Sequence, residues 1–312
     1  MVKTTASKTS PDKKMRKIII DCDPGVDDAL AIFLALASSD EIDVLGITCV
    51  HGNVSLEKTY ANARRICAAA ERLEIPVLSG ASRSLLGIDI GGASVHGLDG
   101  LGDIGMPPPP PPNSAQHAVS FIIEQVNRYP GEVVLCPIGP MTNVALALLM
   151  DDGLAAKLHS IVFMGGAAYV PGNMNDFSEF NFMADPHAAK IMMDAKTPLV
   201  MFGLDVTHKA AMLPQHFERL RANGNACSLI AERLLKAYAV GDLHLHDPCV
   251  IAWLIDPTLF SGVQSKVDVV TSGPESGRSV GTPTLDGNCL VMTDIEHDRL
   301  FDLLLSRMDL LT

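Results

Sequence analysis

The chain has 312 residues, of which 47% are hydrophobic, and a formal net charge of -12. A chain of this length can bury one large core or two modest ones, since domains average about 150 residues. The acidic balance argues against nucleic acid or an anionic membrane surface as the main partner. No apolar run approaches the roughly 18 residues that a bilayer span needs. We therefore expect neither of these partners.

The N-terminal segment 1–16 is basic and polar and lacks the apolar centre of a signal peptide. We predict a disordered extension there, with a vector-derived or an organellar-targeting segment as alternatives, and one domain over residues 17–312. The seven cysteines contain no C-x-x-C pair, and most of them lie in apolar segments. This pattern predicts reduced, packed thiols in a cytoplasmic protein.

From residue 17 to 205, short apolar runs alternate with amphipathic stretches. The apolar runs predict strands at 17–22, 43–49, 75–78, 132–136, 160–164 and 198–202. The amphipathic stretches predict helices at 27–37, 55–72, 114–128, 141–150 and 185–195. Beyond them we predict helices at 214–222, 226–239 and 247–255, two or three strands around 265–292, and a closing helix near 294–309. This alternation indicates a single α/β domain of Rossmann-like type, with a mostly parallel central sheet flanked by helices and a helical C-terminal part.

Four aspartates, Asp21, Asp23, Asp27 and Asp28, fall within eight residues directly after the first apolar run. Helix capping accounts for part of this cluster, since Asp23 precedes a proline and the helix dipole tolerates acidic residues in the first turn. Capping explains one carboxylate and not four. A hard divalent cation bound by carboxylate oxygens explains the cluster better, beyond a strand end where α/β folds bind ligands.

Two further polar clusters follow predicted strands. Asn53 comes after the second strand, at the same edge of the sheet as the aspartates. Thr142 and Asn143 follow the fourth strand, where helix capping is the simpler interpretation.

Two residue pairs later in the chain have the chemistry of a sugar or acid–base site. Glu179 and Asn181 can each bind one hydroxyl of a vicinal diol, although loop asparagines often only make turns. His246 beside Asp247, at a predicted helix start, is a candidate for acid–base catalysis and for a metal ligand. The alternative for His246 is a structural histidine.

Together these segments resemble the inosine-uridine nucleoside hydrolase family. The family signature D-x-D-P-G-x-D-D-A is complete from Asp21 to Ala29, and the likeness continues in order through "ITCVHGN", "SVHGLDGLGD", "LCPIGPMTNVALAL", "SEFNFMADPHAA" and "LHDPC". It covers roughly residues 18 to 309. The resemblance implies a nucleoside hydrolase fold and a Ca²⁺-dependent enzyme of nucleoside catabolism that cleaves purine or pyrimidine ribonucleosides to ribose and free base. It also implies a homodimer or homotetramer.

Carried over by position, the resemblance implies a metal site, two catalytic residues and a substrate site. The implied calcium ligands are Asp23, Asp28, Asp247 and the backbone carbonyl of Ile138. Asp23 would also accept the proton of the attacking water, and His246 would donate a proton to the leaving base. The residues implied to contact the substrate are Asp27, Asn53, His96, Asn173, Glu179, Asn181 and Asp247.

Two departures from the family pattern leave the base preference open. Leu98 stands where relatives usually carry an acidic residue, and Tyr238 and His244 are the only obvious residues to cover the base. Two other functions also stay open. One is a calcium-dependent nucleoside-binding or ribose-binding protein without turnover. The other is a haloacid-dehalogenase-type phosphatase, although Gly25 stands where that class normally has Thr or Val.

Overall fold

The computed structural model describes residues 15–88, 91 and 94–311. Over these ranges the chain forms a mostly parallel nine-stranded sheet with helices on both faces, which confirms the predicted single-domain α/β fold. Residues 1–14 of the predicted disordered extension lie outside the described residues. Arg16, at the end of that segment, already belongs to the first strand.

The elements follow the predicted order closely. The strands are Arg16–Cys22 (β1), Ile42–Cys49 (β2), Val77–Ser79 (β3), Val133–Pro137 (β4), Ser160–Met164 (β5), Leu199–Phe202 (β6), Phe260–Val269 (β7), Ser279–Pro283 (β8) and Cys289–Ile295 (β9). The α-helices are Val26–Leu36 (α1), Leu56–Ala69 (α2), Ala118–Arg128 (α3), Thr142–Met150 (α4), Leu154–Lys157 (α5), Phe180–Ala184 (α6), Pro186–Met193 (α7), Leu204–Thr207 (α8), Pro214–Asn223 (α9), Ala226–Tyr238 (α10), Pro248–Ile255 (α11) and His297–Met308 (α12). The short helices α5, α6 and α8 have no counterpart in the prediction. Within the described ranges, none of the helices is long and apolar enough to cross a membrane.

The order of the strands creates a ligand-binding position at the centre of the sheet. The strands lie in the order β3-β2-β1-β4-β5-β6-β9-β7-β8. β1 pairs in parallel with β2 on one side and with β4 on the other, whereas β7 is antiparallel to both of its neighbours. The chain therefore moves outward from β1 to β3 and then returns to the other side of β1. Such a reversal leaves a crevice beyond the carboxyl ends of β1 and β4, where open α/β sheets bind ligands.

The first strand and helix lie at the centre of the protein. Ile18 and Ile20 pack in the core on one face of the sheet, and Ile19 packs in the core on the other. Every residue of α1 is buried. Because both faces of β1 are covered at residues 18–20, those residues are apolar, and the polar side chains that follow them are held by a rigid centre.

The start of α1 differs from the capping interpretation of Asp23. The helix begins at Val26 and has Gly25 as its N-cap, and the Gly25 N–H donates to Oδ2 of Asp28 (2.9 Å). Asp23 instead accepts a hydrogen bond from the backbone N–H of Asn53 (2.6 Å). The capping interpretation of Asp23 is therefore wrong, since two residues separate it from the helix.

Asn143 joins the carboxyl ends of neighbouring strands. Its Nδ2 donates to Oδ1 of Asp21 (2.8 Å) and to the carbonyl of Cys49 (3.0 Å), and its Oδ1 accepts from the N–H of Ala81 (2.8 Å). Neither Asn143 nor Thr142 caps α4, whose N-cap is Met141, and Oγ1 of Thr142 donates to Oδ2 of Asp185 (2.8 Å) instead. The capping interpretation is therefore wrong for both residues. Their side chains form hydrogen bonds with other segments beside the crevice instead.

Asn143→Ala should lower the free energy of unfolding by about 2–3 kcal/mol, because it removes the hydrogen bonds to Asp21, to the Cys49 carbonyl and from the Ala81 N–H, and Asp21 Oδ1 then keeps only its bond from Thr48. The matched control is Asn127→Ala on the exposed side of α3, which should change stability by less than about 0.5 kcal/mol. Denaturant unfolding of both variants measures the difference. Equal stability of the two variants would contradict the role of Asn143.

Candidate functional site

A cavity of about 280 Å³ lies beyond the carboxyl ends of β1 and β4. It brings together residues from segments far apart in the sequence. Ten of the predicted site residues line it, and these are Asp23, Asp27, Asn53, His96, Ile138, Asn173, Glu179, Asn181, His246 and Asp247. The eleventh, Asp28, belongs to the acidic cluster at its floor.

The floor of the cavity carries an uncompensated group of carboxylates. Oxygens of Asp27, Asp28 and Asp247 lie within 4.8 Å of one another, and all three residues are buried. Burial and then the charge of Asp27 raise the pKa of Asp28 to about 7, and the same two causes raise the pKa of Asp247 well above its usual value. Among the described residues that line the cavity, none is a lysine or an arginine. No lysine or arginine therefore compensates these carboxylates among the described lining residues.

A divalent cation fits this donor set. Oδ1 of Asp28 is buried and has no hydrogen-bond partner in the described part of the chain. Asp247 stands at the N-cap of α11, but its side chain makes no capping hydrogen bond. The carbonyl of Ile138 accepts one hydrogen bond, from Nδ2 of Asn181 (3.1 Å), and keeps a second lone pair. Oxygen-only ligands of this kind suit hard cations such as Ca²⁺ or Mg²⁺.

Asp23 stands beside this group in a fixed orientation. Burial and then the charge of Asp28 raise the pKa of Asp23. A Cβ atom added at Gly52 or at Gly139 would overlap the Asp23 carboxylate, so glycine is required on both sides of it. The Asn53 N–H holds Oδ2 of Asp23. The three carboxylates that lie closest together are thus those of Asp27, Asp28 and Asp247. The resemblance instead implies Asp23 as the third carboxylate ligand beside Asp28 and Asp247.

The segment after β5 supplies the polar side wall. Glu179 is the N-cap of α6, and its carboxylate accepts from the N–H groups of Gly166 (2.7 Å) and Asn181 (2.8 Å). Burial raises the pKa of Glu179, and these N–H donors work against that rise. Oδ1 of Asn173 accepts from the N–H of Phe180 (3.0 Å), which ties the loop to the helix. These hydrogen bonds fix the positions of the Glu179 carboxylate and the Asn173 amide, both of which line the cavity.

Two stacked aromatic rings also line the cavity. His96 stacks on Tyr238 with 5.1 Å between ring centroids, and Nδ1 of His96 accepts from the N–H of Val26 (3.1 Å). Burial lowers the pKa of His96 and so favours its neutral form. Of the two residues expected to cover the base, Tyr238 lines the cavity, and His244 is not among its described lining residues. Leu98 is 82% exposed and is likewise outside that set.

His246 lies between two hydrogen-bond partners. Its Nδ1 is 2.8 Å from Oγ1 of Thr207, and its Nε2 is 3.2 Å from Oδ2 of Asp242. Burial opposes protonation of His246, but the hydrogen bond to Asp242 and the charge of Asp27 outweigh it and raise the pKa of His246. A histidine in this state can donate a proton.

Sequence reasoning missed part of the cavity. The missed lining residues are Val95, Met164, Met174, Phe180, Gly241 and Asp242. Asp242 precedes His246 by four residues in a segment without regular helix or strand, where spacing does not tell which side chains meet. The one sequence signal that could have found Asp242 is its acidic side chain, four residues before His246.

Comparison with known proteins identifies close relatives. The family model for inosine-uridine preferring nucleoside hydrolases matches residues 18–302. The pyrimidine-specific ribonucleoside hydrolase RihA of Salmonella typhimurium is 40% identical over 305 residues, which cover 93% of this chain and 97% of that protein. The structure of a purine-preferring ribonucleoside hydrolase from Gardnerella vaginalis has a TM-score of 0.88 and 33% identity, covering 94% of this chain and 98% of its own. A plant nucleoside hydrolase structure has a TM-score of 0.86 and 31% identity, covering 96% and 99%.

A divalent cation should stabilise the protein through the acidic cluster. At 100 times its dissociation constant it should add about 2.7 kcal/mol to the free energy of unfolding. Asp28→Asn should abolish this response, while the chelated variant should unfold at or above the temperature of the chelated wild type, because one buried like charge is gone.

Thermal unfolding with chelator and with added cation measures both effects. Asp40→Asn, at an exposed position, is the control and should respond to the cation as the wild type does. A full cation response in Asp28→Asn would refute the assignment.

Proposed function

Because the chain belongs to the inosine-uridine preferring nucleoside hydrolase family, we propose that it hydrolyses the N-glycosidic bond of ribonucleosides to ribose and free base with one bound Ca²⁺. The observation that carries the proposal is the division of the cavity. Carboxylates and amides line much of it, and the stacked rings of His96 and Tyr238 line another part. A ribose with its hydroxyls suits the first region, and a flat base suits the second.

The acidic cluster is the proposed calcium site. We propose Asp23, Asp28, Asp247 and the carbonyl of Ile138 as ligands, and Asp27 lies close enough to the same group to share in it. When bound, calcium supplies the positive charge that the buried carboxylates lack and an attraction for the oxygens of the sugar. Carboxylate and carbonyl oxygens together favour calcium, which accepts a flexible, larger ligand set than magnesium.

Asp23 is the proposed general base. The N–H of Asn53 donates to Oδ2 of Asp23, and the lack of a side chain at Gly52 and at Gly139 leaves room for the carboxylate. A carboxylate at this position can accept a proton from a water held beside it. It would take one proton from the water that attacks C1′ of the ribose.

The polar walls stabilise the charge that develops on the sugar. Departure of the base leaves an oxocarbenium-like ribosyl group, so nearby carboxylates lower the barrier more than they stabilise the neutral substrate. We propose that Asp27 and Glu179 serve this purpose while also accepting hydroxyl hydrogen bonds. The amides of Asn53, Asn173 and Asn181 would orient the remaining hydroxyls.

His246 is the proposed proton donor to the leaving base. It lines the cavity directly before Asp247 in the sequence, and its raised pKa favours the protonated form. One proton passes from water to Asp23 and one from His246 to the base, so the proton count balances. His96, which is held neutral by burial, would contact the base or the 5′ side without transferring a proton.

Compartment and assembly are further parts of the proposal. All seven cysteines are buried and free, which fits a reducing compartment such as the cytoplasm. The proposal that the protein forms a homodimer or homotetramer rests on the family resemblance alone.

Asp23→Asn should keep the fold and lower kcat for ribonucleoside hydrolysis by at least about 10²-fold, the low end of an acid–base contribution. Release of reducing sugar measures the rate, and circular dichroism checks the fold. Asp302→Asn, on an exposed ion pair with Arg219, is the control and should leave kcat unchanged. Near-normal turnover by a folded Asp23→Asn protein would rule out the role.

The proposed activity and its ion are tested by one substrate panel. Incubation with inosine, uridine, cytidine and adenosine should release ribose when Ca²⁺ is present and stop when a chelator removes it. Calcium should restore the rate more fully than an equal concentration of Mg²⁺. Tight nucleoside binding without ribose release would identify a binding protein instead, and phosphate release from phosphate esters with Mg²⁺ would identify a phosphatase.

A further inference from the structure

Asp205 holds two consecutive backbone N–H groups of the loop between β5 and α6, residues 165–179. Its Oδ2 accepts from the N–H of Ala168 (2.8 Å), and its Oδ1 accepts from the N–H of Tyr169 (2.7 Å). Asp205 lies in the first turn of α8, directly after β6, the strand that pairs with β5, and it is only 7% exposed. Because a carboxylate accepts on both oxygens, one buried side chain satisfies both donors.

The two preceding N–H groups of this loop are also bound by side chains. Gly166 donates to Oε2 of Glu179 (2.7 Å), and Ala167 donates to Oγ of Ser279 (2.7 Å). Four consecutive backbone donors are thus held by three side chains from different segments. Asp205 supplies the last two of these four attachments, those nearest to the tip of the loop.

The loop has little to hold its backbone beyond Tyr169. Residues 170–173 form no backbone hydrogen bond in the described part of the chain. The hydroxyl of Tyr169 contacts Oγ of Ser265, and the next hydrogen bond along the loop is that of the Asn173 side chain. An exposed segment of this kind opens easily unless its ends are fixed. The Asp205 carboxylate is therefore the last attachment of the loop backbone before Asn173.

Asn173 has one group left for a ligand. Its Oδ1 accepts from the N–H of Phe180 (3.0 Å), whereas its Nδ2 has no hydrogen-bond partner among the described residues. The side chain lines the cavity, although the residue as a whole is exposed. An amide N–H₂ group can only donate, so it suits the oxygen of a sugar hydroxyl.

Asp205 has no direct access to the site. It is not among the described residues that line the cavity, and it is outside the acidic cluster. An effect of Asp205 on a ligand in the cavity must therefore pass through the loop that it holds.

We propose that Asp205 is a positioning residue, which acts through the N–H groups of Ala168 and Tyr169 and holds Asn173 where its Nδ2 donates to a hydroxyl of the ribose. A displacement of about 1 Å is enough to weaken such a contact strongly. The inference rests on the proposed hydrolysis of ribonucleosides, and it adds a residue outside the cavity on which sugar binding depends.

The test is a double-mutant cycle on kcat/KM for inosine and uridine, with calcium-loaded wild type, Asp205→Asn, Asn173→Ala and the double variant. Asp205→Asn keeps the size of the side chain but turns an amide donor towards one of the two N–H groups. It should lower kcat/KM about tenfold in the wild-type background. In the Asn173→Ala background it should cost less than about twofold, because the group that Asp205 positions is gone.

Asp151→Asn is the matched control. The Asp151 carboxylate also accepts from a loop N–H, that of Gly153 (2.9 Å), but it lies beyond the C-terminal end of α4 and outside the described cavity lining. This variant should leave kcat/KM unchanged. Thermal unfolding checks the fold, and Asp205→Asn should respond to Ca²⁺ as the wild type does, which shows that the acidic cluster is intact. Asp205→Ser is the second variant, with the same coupling expected, if Asp205→Asn does not fold.

Two kinetic results would overturn the inference. One is an unchanged kcat/KM in folded Asp205→Asn. The other is an equal loss in both backgrounds, because Asp205 would then act by a route other than Asn173.

Amide hydrogen exchange separates this inference from the proposed function, since it needs no turnover. Peptides that span residues 166–178 should exchange at least about tenfold faster in Asp205→Asn than in the wild type, and Asp151→Asn should leave their exchange unchanged. If the wild type cleaves no ribonucleoside, the proposed function fails, and faster exchange still supports the attachment of the loop by Asp205. If hydrolysis occurs and the exchange is unchanged, the role of Asp205 fails alone.

Discussion

The mutual repulsion of buried carboxylates is the constraint on which the rest of the site depends. Asp23, Asp27, Asp28 and Asp247 are all buried beyond the end of β1, and no described lining residue brings a compensating Lys or Arg. Several kcal/mol of desolvation oppose each buried charge unless a partner is supplied. A bound cation is the partner that we propose, and it would also give the site its chemistry. The oxygens of these four carboxylates would therefore determine both the stability of the site and its proposed chemistry.

The strands, helix and loops around the site hold these carboxylate oxygens in place. β1 and α1 are buried on all sides, so the turn between them cannot relax to separate the charges. Gly52 and Gly139 admit the Asp23 carboxylate between two loops that follow different strands. Asn143 ties those loops to Asp21 through buried hydrogen bonds. The position at the reversal of strand order follows from topology, because only there do loops from β1, β2 and β4 converge.

Much of this arrangement could be predicted from local sequence patterns. Apolar runs flanked by amphipathic stretches were enough for the parallel sheet, because strands covered on both faces are apolar throughout. The acidic signature and the "EFN" and "HDP" segments predicted six lining residues of the cavity, and the position of Asn53 after a strand predicted a seventh. The other three, His96, Ile138 and Asn173, were implied by the family resemblance. The strand order lay beyond such patterns, since it depends on contacts between segments distant in sequence.

The failures have a common physical cause. Asp23, Thr142 and Asn143 have the residue types of helix caps, and each makes its hydrogen bond to a different segment instead. Asp242 was missed because it stands in an irregular segment, where no period indicates which way a side chain faces. Local pattern predicts what a residue can do near its own helix or strand. Local pattern does not predict which residue from a distant segment will form a hydrogen bond with that side chain instead.

A crystal structure grown with ample Ca²⁺ tests the central claim most directly. The account predicts one ion per chain, coordinated by oxygens of Asp28 and Asp247, and the same structure would decide whether Asp23, Asp27 or both complete the shell. Density for an ion elsewhere, or a cluster in which these carboxylates pair only with one another and no ion binds, would contradict it.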